Sequence, residues 1–357
     1  MNKYLQSINE EVRDFFEVLS PEFPEWMLDY IYTPEMQRID KIGVSCGTQY
    51  NRIYNVKLDY TNLMHSVGVA LILWNFTKDK KQTLAGLFHD IATPVFKHTI
   101  DFMNGDYEKQ ESTEDRTEQI IRNSKEIMRL LERDNIKVEE VCNFHIYSLA
   151  DNSSPRLCAD RLEYNLADGL FQKVVFNGVK EVERYYNNLI IVKNEDGEDE
   201  FAFKDITICE EFIHTIVNLW PRWIEDSNRA CMQLIADILK SLYIKKYIDI
   251  DYLYTHSEEE IIHLIKTCDD EYIRIAFEKY QNATIEDVYR GDEPRDDIYC
   301  TSVKGKKRYI NPLVICDSKI SRIKDISSKA NEDIEKYLDI KLFNYIGFKF
   351  DFKPYRF

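Results

Sequence analysis

The sequence lacks any run of about 18 consecutive apolar residues, so no membrane span is expected. Its first stretch, MNKYLQSINEEVRDFF, has neither the basic start nor the apolar core of an export signal. No C-x-x-C pair occurs among the eight cysteines, at 46, 142, 158, 209, 231, 268, 300 and 316. Without an export signal these read as reduced thiols of a cytoplasmic protein, used as small buried hydrophobes. An excess of positive charge is also missing. The net charge of −16 argues against non-specific binding to nucleic acid, which needs Lys and Arg to displace counterions. It does not exclude a nucleotide, because a bound cation and a few basic residues can make a positive site in a negative protein. Internal repeats and low-complexity segments are absent. What remains is a globular composition, 44% hydrophobic and 31% charged, in 357 residues. That length supports one large or two moderate domains.

Along the chain the pattern is mainly helical. Residues 3–19 predict a helix ended by Ser20-Pro21, followed by short helical pieces broken at Pro24 and Pro34. The polar stretch SCGTQYNRIYNVKLDYTN predicts a loop. LMHSVGVALILWNF, Leu63 to Phe76, is apolar on nearly every side and predicts a helix buried in the core. A second buried helix is expected from about Gln82 to Asp90, limited by Pro94. The 111–135 region has helical period and a capping pattern at Ser112–Asp115, and CADRLEYNLADGLF predicts another helix. NLIIVKNEDGEDEFAFKD reads as a β-hairpin, and helices resume over about 208–281. The charged loop YRGDEPRDD suggests a boundary near 290. The fold class expected is mainly α: a helical region over 1–290 with its core at about 30–180 and a β-hairpin insertion, then a smaller α+β part over 291–357. In that part IYCTSVKGKKRYINPLVI predicts a hairpin turning at Gly305, and GFKFDFKPYRF alternates as a strand does.

The candidate chemistry lies in the buried helices. His65 sits in the first; adjacent His89 and Asp90 end the second; Asp160 lies in the third. One histidine in an apolar helix is usually a satisfied core residue. Four ionisable residues in ordered, buried contexts are harder to explain that way, since a buried carboxylate needs a neutralising partner. Imidazole nitrogens and carboxylate oxygens together suit a divalent ion such as Mn, Fe, Ni, Co, Zn or Mg, with its identity open.

This H…HD…D order resembles the HD-domain metal-dependent phosphohydrolases, an all-helical superfamily. Within it, YTPEMQRIDKIG, HSVGVA, HDIATPVFKHTID and DRLEYNLAD look like four ordered segments of the deoxynucleoside triphosphate triphosphohydrolase (dGTPase-like) branch. The resemblance implies that His65, His89, Asp90 and Asp160 are metal ligands. It implies that His98 is catalytic with Asp101 orienting it, and that Tyr164 and Asp168 sit near a nucleotide sugar. The implied reaction is attack of water at the α-phosphorus, releasing nucleoside and triphosphate. A homo-oligomer is expected, as is a nucleotide or other phosphate ester as partner, with no membrane.

The chain departs from that branch in several places. Asn62 stands where the branch has Arg. Ala92 and Thr93 replace a Gly and a His. Tyr107 or Glu108 stands at a downstream His, and Asp40 and Val44 replace an Arg and a Gln. The metal centre is retained while much of the triphosphate grip is not, although Lys97, Lys109 and Arg116 lie nearby in sequence. Two alternatives therefore stay open: an HD phosphatase or phosphodiesterase for another nucleotide or phosphate ester, and a nucleotide-binding regulatory protein with a weakened or inactive site. His145 is a candidate ligand for a second metal ion, against a structural role. The basic run Lys304, Lys306, Lys307 and Arg308 is either a solvated hairpin or a contact for phosphates or a neighbouring subunit.

Overall fold

The computed structural model describes residues 2–54, 60–110 and 116–355. The fold is mainly α, with small β-sheets in the insertion and in the C-terminal part. Its centre is a pair of helices, Asn62–Thr77 and Lys80–Phe88. Thr61 caps the first by accepting from the Met64 amide at 3.3 Å. Asp79 caps the second by accepting from Lys81 and Gln82. Between them the chain reverses at Lys78, whose φ is +53°. The two helices touch because Gly86 has no side chain: a Cβ there would lie 2.5 Å from Leu73 Cδ1. The helix expected from CADRLEYNLADGLF is Ala159–Phe171, and it packs on the first of the pair.

Two expected helices are each divided by a polar cap. Residues 3–19 form Lys3–Ser7 and Glu10–Leu19, because the Asn9 side chain accepts from Val12 N at 2.8 Å and starts a new helix. Downstream, Thr117–Asn123 and Lys125–Arg133 are separated by Ser124, which accepts from Ile127 N. The capping pattern at Ser112–Asp115 lies outside the described residues. In the expected loop, Thr48–Tyr50 and Arg52–Tyr54 are single 3₁₀ turns.

Seven strands are described: β1 (Leu189–Lys193), β2 (Asp199–Phe203), β3 (Val288–Gly291), β4 (Tyr299–Thr301), β5 (Leu313–Cys316), β6 (Lys319–Arg322) and β7 (Tyr345–Phe348). β1 and β2 form the hairpin expected from NEDG, with Gly197 at φ +80° in the turn. β5 adds parallel to β2 and β6 antiparallel to β5, giving the order β1-β2-β5-β6. The second sheet has the order β3-β7-β4. The boundary expected near 290 falls inside β3, and strands after it complete both sheets.

The hairpin expected at Gly305 does not form. β4 pairs with β7 and β5 with β2, so residues 302–312 cross from one sheet to the other. Tertiary partners hold them there. Lys307 donates to the Leu338 and Ile340 carbonyls, Lys306 to the Lys109 carbonyl, and Ile310 is fully buried.

The buried side chains form two clusters. One surrounds the central helix pair, the Ala159–Phe171 helix and the β1-β2-β5-β6 sheet. The other is built on the helix Asp226–Ile244, the helices between 250 and 282 and the second sheet. Val95, Phe96 and Ile100, just after His89-Asp90, belong to this second cluster. The chain thus passes from one core to the other between Asp90 and His98, where the candidate site lies. No helix among the described residues is long and apolar enough to cross a membrane.

Candidate active site

Three elements of the first core converge on one point. His65 comes from the first turn of Asn62–Thr77, His89 from the end of Lys80–Phe88, and Asp160 from the first turn of Ala159–Phe171. Each presents one ligand atom, all within 4.8 Å of one another. His65 Nε2 lies 3.2 Å from both His89 Nε2 and Asp160 Oδ1. Asp90 Oδ2 stands 3.8 Å from each imidazole Nε2.

Hydrogen bonds behind the imidazoles set which nitrogen faces the centre. His89 Nδ1 donates to the Gly86 carbonyl at 2.7 Å. His65 Nδ1 bonds the fully buried Glu163 carboxylate, which also accepts from Tyr60 OH. Gly68 makes room for that carboxylate, since a Cβ there would lie 2.6 Å from Glu163 Oε1. With both Nδ1 atoms engaged, two Nε2 atoms and two carboxylates face one another. Such a donor set draws positive charge. Burial opposes a charge on His65, yet Glu163 and Asp160 outweigh it and push the imidazole up to about 10. Burial likewise opposes ionisation of Asp160, but His65 holds it below the usual carboxylate range. The donor set fits a divalent cation of the borderline type.

Lys97 adds a fixed cation. Its Nζ donates to Asp90 Oδ2 at 3.0 Å and to Asn62 Oδ1. Burial disfavours both charges of the Lys97–Asp90 pair, but their attraction prevails: Asp90 is held well below the usual range and Lys97 is raised. Phe96 and Lys97 have φ of +64° and +46°, a conformation costing on the order of 1–3 kcal/mol per residue. Burial of Phe96 and the Val95 N–Leu253 O bond of 2.8 Å hold this turn.

His98 follows, directly before the helix Thr99–Asn104. Its Nδ1 lies 3.0 Å from Oδ2 of the fully buried Asp101. On its other side, Arg308 donates to Nε2 at 3.2 Å and to Gln110 Oε1 at 2.6 Å. His98, Gln110, Arg308 and the His65 cluster line one cavity of about 490 Å³. It is also lined by Tyr164, edge-on to Trp223 at 5.4 Å, and by Asp168, which accepts from Trp223 Nε1 at 2.9 Å. Burial pushes Asp168 up to about 6.

A family model described as HD domain matches residues 62–164. The chain carries an HD domain. It is 22% identical over 283 residues to the uncharacterized protein YdhJ of Bacillus subtilis, spanning 78% of this chain and 82% of that one. It is 24% identical over 157 residues to the metal-dependent phosphohydrolase cns2 of Cordyceps militaris, 44% of each chain. Among solved structures it resembles a phosphohydrolase from Bacteroides thetaiotaomicron, with a TM-score of 0.62 at 14% identity over 91% of this chain and 96% of that one. A hypothetical protein from Aquifex aeolicus aligns with a TM-score of 0.60 at 17% identity, over 91% and 92%. Both structural likenesses show the fold.

Within and around the HD domain the other candidates fall into place unevenly. His145 lines the cavity but pairs with Asp151 at 2.7 Å, outside the His65–His89–Asp160 group. Arg116 turns to Asp251 at 2.6 Å and stacks on Tyr254, and Lys304 pairs with Glu108 at 3.0 Å. Of the 304–308 run, Lys306 and Arg308 reach the cavity. Glu163, Tyr60, Trp223 and Arg38 also shape the site, although none stands out singly in the sequence. Arg38 donates to the Ile91 and Thr93 carbonyls and fixes the turn after the His-Asp pair. Glu163 had one local signal, its place three residues after Asp160 on the same helix face; Trp223 had none.

Proposed function

We propose that the protein is a metal-dependent phosphohydrolase of a nucleotide, with hydrolysis of deoxynucleoside triphosphates to nucleoside and triphosphate as the specific reaction. The observation that carries this reading is the His65–His89–Asp160 cluster, with Asp90 beside it, sharing one cavity with His98, which bonds the buried Asp101. A divalent ion held by His65, His89, Asp90 and Asp160 would polarise the phosphoryl oxygens and lower the pKa of water.

The remaining roles belong to the chain itself. Asp101 fixes the proton of His98 on Nδ1 and orients the ring, leaving Nε2 as the atom that hands a proton to the departing oxygen. Water adds at the α-phosphorus, the bond to the 5′-oxygen breaks, and that oxygen leaves as the nucleoside hydroxyl. Lys97 neutralises Asp90 and stands where a phosphate oxygen would approach. Tyr164, Asp168 and Trp223 supply the ring face and hydrogen-bonding groups suited to a sugar.

A second reading, a phosphatase or phosphodiesterase for a less charged nucleotide or other phosphate ester, is favoured by Asn62. That position carries no charge, and the nearby Lys97 already serves Asp90. The test is turnover over nucleoside mono-, di- and triphosphates and cyclic nucleotides with Mn²⁺, Mg²⁺ or Co²⁺, resolving products by ion exchange. Nucleoside plus triphosphate supports the specific reaction. A nucleoside diphosphate or monophosphate product sinks it in favour of the second reading. Absence of turnover with every metal and substrate argues for a regulatory protein.

A further inference from the structure

We propose that Arg308 is a substrate-sensing positioning residue: it covers the Nε2 lone pair of His98 until an anionic group in the cavity takes over its guanidinium. This rests on the reading of His98 as the proton donor and adds what controls its loading.

The argument starts from the hydrogen-bonding capacity of the partners. Asp101 is a fully buried carboxylate 3.0 Å from His98 Nδ1, so that nitrogen carries the ring proton. A guanidinium donates only, so Arg308, 3.2 Å from Nε2, requires a lone pair there. In this arrangement His98 is neutral and has no proton on the nitrogen that must give one. Further ionisable groups lie beside His98. Lys97 precedes His98 in the chain, the Cys46 thiol meets its backbone, and Asp101 is the carboxylate beside it. Burial first, then Arg308 and Lys97, outweigh Asp101 and hold His98 below the ordinary histidine range.

The hold on Arg308 is of a kind that an anion can displace. Its side-chain bonds go to neutral acceptors, the His98 imidazole and the Gln110 amide. Bonds from a guanidinium to a phosphate are charge-assisted, bidentate and roughly twice as strong as neutral ones. The residue sits in the segment 302–312, which has no regular structure of its own, and it lines the cavity with Lys306. A phosphate group entering beside the metal ligands draws the guanidinium off Nε2. The exposed lone pair then takes a proton from water, and the acid is loaded only when its substrate is present.

The test follows His98 directly by NMR of histidine-labelled protein in Mg²⁺, assigned with His98→Gln, across pH with and without inorganic phosphate. In the wild type, phosphate should raise the His98 titration midpoint. In Arg308→Ala the midpoint should already be raised without phosphate, phosphate should add little, and phosphate affinity should fall about tenfold. Arg308→Lys, which keeps the charge but loses the planar fork, should lie between the two. An identical His98 titration in wild type and Arg308→Ala, or equal phosphate binding by both, would overturn the proposal. Turnover is read separately. If no phosphate ester is hydrolysed, the functional reading fails, while the titration still decides whether Arg308 governs His98.

Discussion

His65 bonds Glu163 through Nδ1, and that one hydrogen bond leaves its other nitrogen facing the cavity. Glu163→Gln should weaken metal affinity about 10–100-fold while the fold persists, as read by competition with a chromophoric chelator. Unchanged affinity would remove Glu163 from this role. Asp160→Ala should lose the metal outright, because Asp160 Oδ1 stands 3.2 Å from His65 Nε2 at the meeting point of the cluster. Elemental analysis of the purified variant checks this; a full metal complement would contradict it. His98→Ala should keep the metal and lose roughly 10²–10⁴ in rate, the usual worth of a positioned acid. Metal content and kcat measured on the same sample separate the two effects.

Between elements, close approach decides the geometry. Gly68 on Asn62–Thr77 faces Glu163 on Ala159–Phe171, and a Cβ would meet Glu163 Oε1 at 2.6 Å and Cγ at 2.9 Å. Gly68→Ala should therefore cost about 1–3 kcal/mol of stability, as overpacking does. It should also weaken metal binding by displacing the carboxylate behind His65; thermal melts with and without metal report both. Glu258 makes a second inter-element contact, from the first turn of the helix Glu258–Thr267 to the 43–50 loop. It accepts from Tyr50 OH at 2.7 Å and Gln49 Nε2 at 2.9 Å, yet burial pushes its carboxyl up to about 7. The folded state therefore holds this proton more tightly than the unfolded one. Stability should fall as pH rises from about 4.5 to 7, by on the order of 2–3 kcal/mol, and level off above. Glu258→Gln should remove this component of the slope in denaturant unfolding measured across pH; an unaltered slope would exclude Glu258 as its source.

For the whole molecule, the site depends on two cores meeting. The HD domain supplies the His-Asp cluster from the first, and the chain carries His98 and Asp101 onto the second. The segment after β4 returns to close the cavity with Lys306 and Arg308. β5 and β6 lie on the first sheet and β7 lies between β3 and β4 in the second, so the C-terminal residues belong to both. A chain ending at residue 298 should lose β4 to β7 and fail to fold cooperatively. Circular dichroism melts test this, and a sharp transition near that of the full chain would show that residues 1–298 are self-sufficient.

Some of this was written in local pattern. The all-round apolar Leu63–Phe76 stretch, the His89-Asp90 end of the next helix and the DRLEY helix each announce themselves within a dozen residues. So does the β1–β2 hairpin, where turn chemistry at NEDG and flanking β-formers agree. The mainly helical class follows from such short-range periodicities. Helix ends were less legible, because Asn9 and Ser124 act through one side-chain hydrogen bond that period alone does not reveal. Tertiary packing decided the rest. Glu163 reaches His65 across 98 residues and Arg308 reaches His98 across 210. The basic run near Gly305 has the pattern of a hairpin, yet Lys307 and Arg308 have partners on distant helices and loops, and β4 and β5 have better strand partners elsewhere. A sequence determines by itself what each short segment prefers; which distant donor meets which acceptor is settled only when two cores pack and every buried charge must find its partner.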